Sequence, residues 1–130
     1  MIKIEKQFAI FLENRPGVLA RICQAFSKNS INMLAMSILD TVDHVVVRIV
    51  VDKTKAAEQV LTDMHLMIQV RDVVFMDVPN EVGAMAKVSE RLAEAGINIE
   101  YAYCTCSPSH SAGALVLRTN DLEGTINALS

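Results

Sequence analysis

Two short stretches carry the residue types that could hold a small charged molecule. Asn14-Arg15-Pro16-Gly17-Val18-Leu19 sets an amide side chain three positions ahead of a glycine, and Asn80-Glu81-Val82-Gly83-Ala84-Met85 repeats the arrangement 66 residues later. A glycine in that place permits positive φ and a close approach to the backbone. A helix starting just after it leaves the amides of Val18 and Leu19, or of Ala84 and Met85, pointing outward. Those amides and the helix dipole favour an anion such as a carboxylate. Asn14 and Asn32 add donors and acceptors suited to both ends of a zwitterion. Taken locally, capping by Asn14 and turning by Gly17 would explain the same residues. This is binding chemistry, without a nucleophile or a base.

Other reactive side chains form no comparable set. Cys104 and Cys106 lack the CxxC spacing and the histidine partners of a zinc or redox site, and read as small buried hydrophobes. His44 falls at a hairpin and His65 at a helix end, where a cation suits the dipole. Neither they nor His110 lies in a nucleophile or metalloprotease motif. No catalytic residue, metal ligand or cofactor site is expected. Met33, Met36, Met64, Met67 and Met85 fall mostly on faces expected to pack in the core. Ser107-Pro108-Ser109-His110-Ser111 reads as a loop.

The elements that would position the two stretches repeat as well. Asn14 to Met33 laid over Asn80 to Ile99 matches Asn14/Asn80, Gly17/Gly83, Ala20/Ala86, Ile31/Ile97 and Asn32/Asn98. In each copy an alternating strand comes first, Gln7 to Leu12 or Val73 to Val78. A turn and an amphipathic helix follow, with Val18, Ile22 and Phe26 or Met85, Val88 and Leu92 on the apolar face. Asn29-Ser30 and Ala95-Gly96 are the expected helix stops. Next come two strands, Ile31 to Leu39 and Val45 to Val51, or Ile97 to Thr105 and Ala112 to Leu117. A second helix closes each copy, Lys55 to Met64 or Asp121 to Leu129; Asn120 with Glu123 resembles a capping box.

The order β-α-β-β-α, with one more strand, is the split β-α-β arrangement of ferredoxin-like α+β folds. Residues 1–69 and 70–130 are thus expected to form two modules in tandem. Each would be an antiparallel sheet with helices on one face. Leu66 to about Val70 supplies the last strand of module 1. Module 2 is left without one, so either the chain stops short or a neighbouring element fills that edge.

A formal charge of −3 argues against nucleic acid, which calls for a basic face. No apolar run is long enough to cross a bilayer. Three cysteines and no secretory leader suit reduced thiols in the cytoplasm.

Phe11-Leu12-Glu13-Asn14-Arg15-Pro16-Gly17-Val18-Leu19 followed by Ser30-Ile31-Asn32-Met33 resembles the ACT-domain signature. So does Asn80-Glu81-Val82-Gly83-Ala84-Met85 followed by Ala95-Gly96-Ile97-Asn98-Ile99. Copy two departs from it with Val82 in place of proline, Asp77 in an apolar strand, and the polar loop between its middle strands. The resemblance implies a sensor for a small molecule, usually an amino acid, acting as a homodimer or larger assembly, with a regulated enzyme as a candidate partner. It places the ligand between the first loop and helix of one module and the second strand of a neighbour. The implied contacts are Asn14, Arg15, Pro16, Gly17, Val18, Leu19, Asn32 and Met33 in copy one. In copy two they are Asn80, Gly83, Ala84, Met85, Asn98 and Ile99. The alternatives are a regulatory subunit of a biosynthetic enzyme such as acetolactate synthase and, from another class, a small ferredoxin-like enzyme.

Overall fold

The computed structural model describes all residues, Met1–Ser130. Its elements run β1 (Ile2–Glu13), α1 (Val18–Lys28), β2 (Met33–Asp40), β3 (His44–Val51), α2 (Thr54–Asp63), β4 (Met67–Pro79), α3 (Ala84–Glu94), β5 (Ile99–Thr105), β6 (Ala112–Thr119) and α4 (Leu122–Leu129). Two compact units emerge. One is Lys6–Arg71; the other combines Asp72–Ser130 with Met1–Glu5.

In the unit Lys6–Arg71 the strands lie in the order β2-β3-β1-β4, the ferredoxin-like order. β1 pairs antiparallel with β3, Phe8 opposite Ile49 and Leu12 opposite Val45, and β3 pairs antiparallel with β2. The period-2 alternation aims Phe8, Ile10 and Leu12 at the helices. They meet Ile22 and Phe26 of α1 and Ala57 and Leu61 of α2 in one apolar cluster. The second unit repeats this with Val74 and Val78 of β4, Leu115 and Leu117 of β6, and Val88 and Leu92 of α3.

The two copies agree in fine detail. The register shifts between Met33 and Ala35 in β2, and at the equivalent place, between Ile99 and Tyr101, in β5. Asn32 N–H donates to Asp52 Oδ1 (2.9 Å) while Asp52 N–H donates to the Asn32 carbonyl (3.1 Å). Asn98 and Asn120 form the same reciprocal bracket at 3.1 and 3.4 Å. Both first helices end as expected from Asn29-Ser30 and Ala95-Gly96, with Ser30 (φ 55°) and Gly96 (φ 71°) in the left-handed region.

The edge that the sequence leaves open in the second unit is taken by the chain's own beginning. β1 is longer than the alternation from Gln7 suggests, and Met1–Glu5 belongs to the second unit. There β1 borders β4, so the unit's strands run β5-β6-β4-β1. Asp77 N–H donates to the Met1 carbonyl (3.1 Å), the Met1 ammonium lies 3.6 Å from the Asp77 carboxylate, and Ile2 packs on the second core cluster. Asp77 is thereby explained: its side chain faces the amino terminus. The last strand of copy one and the first of copy two are one continuous strand, β4, with no break at position 70.

Two local expectations are corrected. The N-cap of α4 is Asp121, whose carboxylate accepts from Gly124 N–H at 2.9 Å, and not Asn120, which is committed to the bracket with Asn98. Several methionines are not core: Met36, Met67 and Met85 are 38%, 71% and 36% exposed, because they lie at strand edges or on the outer helix face, while Met33 and Met64 do pack on the first cluster.

Candidate functional site

The Asn14–Leu19 turn begins where β1 leaves the sheet. Asn14 N–H donates to the Asp43 carbonyl (3.2 Å), tying it to the β2–β3 turn, which Thr41 and His44 close through their own hydrogen bond (2.7 Å). Gly17 follows at φ +86°, a conformation that strains any other residue, and α1 starts from it. A Cβ at Gly17 would meet nothing within 4 Å, so the glycine serves the turn and leaves open space beside it. No side chain caps α1 and no acidic residue stands in its first turn. Asn14 therefore does not cap the helix, and its amide makes no hydrogen bond.

Beside this turn is a cavity of about 210 Å³. Asn14, Arg15, Val18 and Leu19 line one side; Ile38, Val45 and Val47 of β2 and β3 line the other. Arg15 leans on Glu13 (Nε to Oε2, 2.8 Å) at its mouth. The arrangement offers an unpaired amide, free helix amides and an apolar wall, which is a surface suited to binding. Pro16 and Gly17 form the turn itself. Asn32 and Met33 are not brought into this cavity. They lie past the other end of α1, about 16 Å away for an 11-residue helix. The wall residues Ile38, Val45 and Val47 were not picked out from the sequence, because their alternation reads as core. Their apolar type carries no signal that separates a cleft wall from core; only the fold shows Ile38 on an edge strand, 49% exposed.

Copy two has the same turn with a different outcome. Gly83 repeats φ +86° and α3 also lacks a side-chain cap. Here, however, Asn80 is spent. Its Nδ2 donates to the Ser107 and His110 carbonyls (2.9 Å each) and its N–H to the Ser111 carbonyl (2.9 Å), so the polar loop is tied down onto it. Ala84 lines a separate groove, while Met85 sits on the outer helix face. Asn98 and Ile99 lie past the far end of α3, as Asn32 and Met33 do for α1. Cys104 and Cys106 are exposed, correcting the expectation that they are buried: Cys104 sits on the edge strand β5 and Cys106 in the loop after it; Cys23, on α1, is half-buried. No group of three histidine, cysteine or acidic residues is placed to hold a metal ion. No helix is long and apolar enough to cross a membrane.

A family model described as an ACT domain pair matches residues 3–129. The chain belongs to the ACT domain pair family. Among solved structures, this ACT pair is similar to a protein from Bacteroides thetaiotaomicron at 32% identity and a TM-score of 0.90, over 98% of this chain and 88% of that one. The ligand-free regulatory subunit of aspartate kinase from Thermus thermophilus is similar at 14% identity and a TM-score of 0.72, over 99% and 93% of the two chains. The aspartate kinase of Synechocystis is similar at 22% identity and a TM-score of 0.65, over 99% of this chain and 26% of that one. No curated protein sequence matches the chain. The paired ACT architecture supports a ligand-binding, regulatory role.

Proposed function

We propose that this ACT pair is an amino-acid sensor without catalysis of its own, working in the cytoplasm and reading its ligand in the cleft of copy one. The observation that carries this reading is the contrast between Asn14, whose amide is free beside a cavity, and Asn80, whose amide is consumed by its own loop. The ligand's carboxylate would take the amides opening α1, and Asn14 would take one of its polar ends. Arg15, Pro16, Gly17, Val18 and Leu19 shape that end of the cleft. Asn32 and Met33 would contribute from a neighbouring copy, with Asn98 and Ile99 in the same relation for copy two.

The neighbouring copy is expected at β2. It is an edge strand of its unit, with Met36, Ile38 and Leu39 at 38%, 49% and 54% exposure, and unpaired edges of that kind invite strand pairing. That one structural neighbour is a regulatory subunit of aspartate kinase and another an aspartate kinase supports a regulated enzyme as the eventual partner.

Thermal shift against the twenty amino acids finds the ligand, since binding to the native state alone raises the midpoint. Calorimetry on Asn14→Ala then tests the placement. Losing a hydrogen bond to a charged ligand group costs about 1.5–3 kcal/mol, roughly tenfold to a hundredfold in affinity. Unchanged affinity in Asn14→Ala would remove the cleft from the proposal, and no shift with any amino acid would remove the ligand class.

A further inference from the structure

Each unit holds a pocket between the start of its first helix and the end of its second. In the first unit it has about 190 Å³ and in the second about 160 Å³. The two are the same place in the repeat: Glu13, Arg15, Val18 and Arg21 line one, and Pro79, Glu81, Ala84 and Lys87, each 66 residues later, line the other. Both combine an apolar interior with basic residues at the rim, although the residues themselves differ.

The pocket of the second unit is the more developed. Met76, Val88 and Leu129 give it an apolar floor. Lys87 and Arg91 stand one turn apart on α3, which sets their side chains on one face. Glu81 completes the rim. None of these three charges enters a hydrogen bond or ion pair within the protein; the salt bridges lie elsewhere. Two cations and one anion over an apolar floor match the parts of an apolar α-amino acid: carboxylate, ammonium and side chain. A dry cavity of about 150 Å³ accepts a benzene-sized group, so the volume suits a leucine or phenylalanine side chain.

We propose that the groove between α3 and the end of α4 binds an apolar α-amino acid, with Lys87 and Arg91 on the carboxylate, Glu81 on the ammonium, and Met76, Val88 and Leu129 around the side chain. This site is separate from the cleft at Asn14. It rests on the amino-acid reading for its ligand class alone. A pair with one cleft and one groove could respond to two concentrations or two amino acids.

The test is calorimetry of the full chain with L-leucine and L-phenylalanine, on wild type, Asn14→Ala, Glu81→Gln and the double variant K87Q/R91Q. All four positions are exposed, so the variants should fold, and circular dichroism checks it. The groove predicts binding weakened roughly tenfold to a hundredfold in K87Q/R91Q and in Glu81→Gln, and retained in Asn14→Ala. It also predicts that 4-methylpentanoate and isopentylamine, each lacking one charged end, bind at least tenfold more weakly than leucine. Binding lost in Asn14→Ala and kept in K87Q/R91Q overturns the groove and leaves the cleft standing. Binding of another amino acid without either apolar one also overturns the groove. Equal binding of leucine and 4-methylpentanoate overturns the role of Glu81.

Discussion

The α4 end of the second unit rests on a small buried network whose energy can be worked out bond by bond. Thr119 and Thr125 are 1% and 0% exposed, and their hydroxyl oxygens lie 2.7 Å apart. Thr125 Oγ1 donates to the Asp121 carbonyl (2.7 Å), so its single proton is used and Thr119 must be the donor to Thr125. Thr119 Oγ1 in turn accepts from Asp121 N–H (3.2 Å). Thr125→Val keeps the shape but strands the Thr119 hydroxyl, at a cost of about 1–3 kcal/mol, and loses the bond to Asp121, about 1 kcal/mol. The added methyl returns about 0.8 kcal/mol. The expected net loss is roughly 1–3 kcal/mol. Thr119→Val strands Asp121 N–H and should cost about 1–2 kcal/mol. Removing both hydroxyls leaves neither partner stranded by the other. The double variant should therefore be about 1–2 kcal/mol more stable than the sum of the singles predicts. Urea unfolding followed by circular dichroism, at unchanged m, reads all four corners of the cycle. Singles that add within about 0.3 kcal/mol would refute the coupling, and with it the assignment of donors.

Other outcomes are accessible with the same assay. Leu92→Ala empties a fully buried site of the second cluster and should cost about 2–5 kcal/mol. Ile2→Ala, at a half-buried strand position far in sequence from the core it joins, should cost about 1 kcal/mol, and no change would mean that the amino-terminal strand is not seated on the second unit. Ser30→Gly relieves a left-handed backbone (φ 55°) and should stabilise by up to about 1 kcal/mol, against the usual effect of glycine. Asn80→Ala cuts two side-chain hydrogen bonds to the loop and should speed hydrogen exchange at residues 107–111 while α3 and β6 stay protected.

How much of this was legible follows from what is local. The helices, the strand alternation, the left-handed stops at Ser30 and Gly96 and the glycine turns at Gly17 and Gly83 are each written within a few residues, and the repeat doubled every signal. The turn at Asn14–Leu19 was legible for the same reason. Its second wall was not, because Ile38, Val45 and Val47 reach it only through the pairing of β2 with β3. The distance between Asn14 and Asn32 was hidden too: the signature sets them 18 residues apart, and only counting along α1 shows that a whole helix separates them.

The edge of the second unit is the deepest case. Ile2-Lys3-Ile4-Glu5 alternates with the same period as the rest of β1, so nothing in the pattern marks a change of allegiance after Glu5. The cause lies in geometry. A ferredoxin-like unit needs a fourth strand beside its first. In the first unit that strand is the opening of β4, from Met67, and the second unit's first strand is the rest of β4. A long strand laid beside β4 can serve both needs, its later part as first strand of one unit and its opening as last strand of the other. The length of β1, 12 residues, and of β4, 13 residues, is the trace of this double duty. Such a strand exceeds the usual five or six residues. Two overlong strands in a tandem repeat whose second copy shows no closing strand of its own are therefore a readable sign that each strand serves twice.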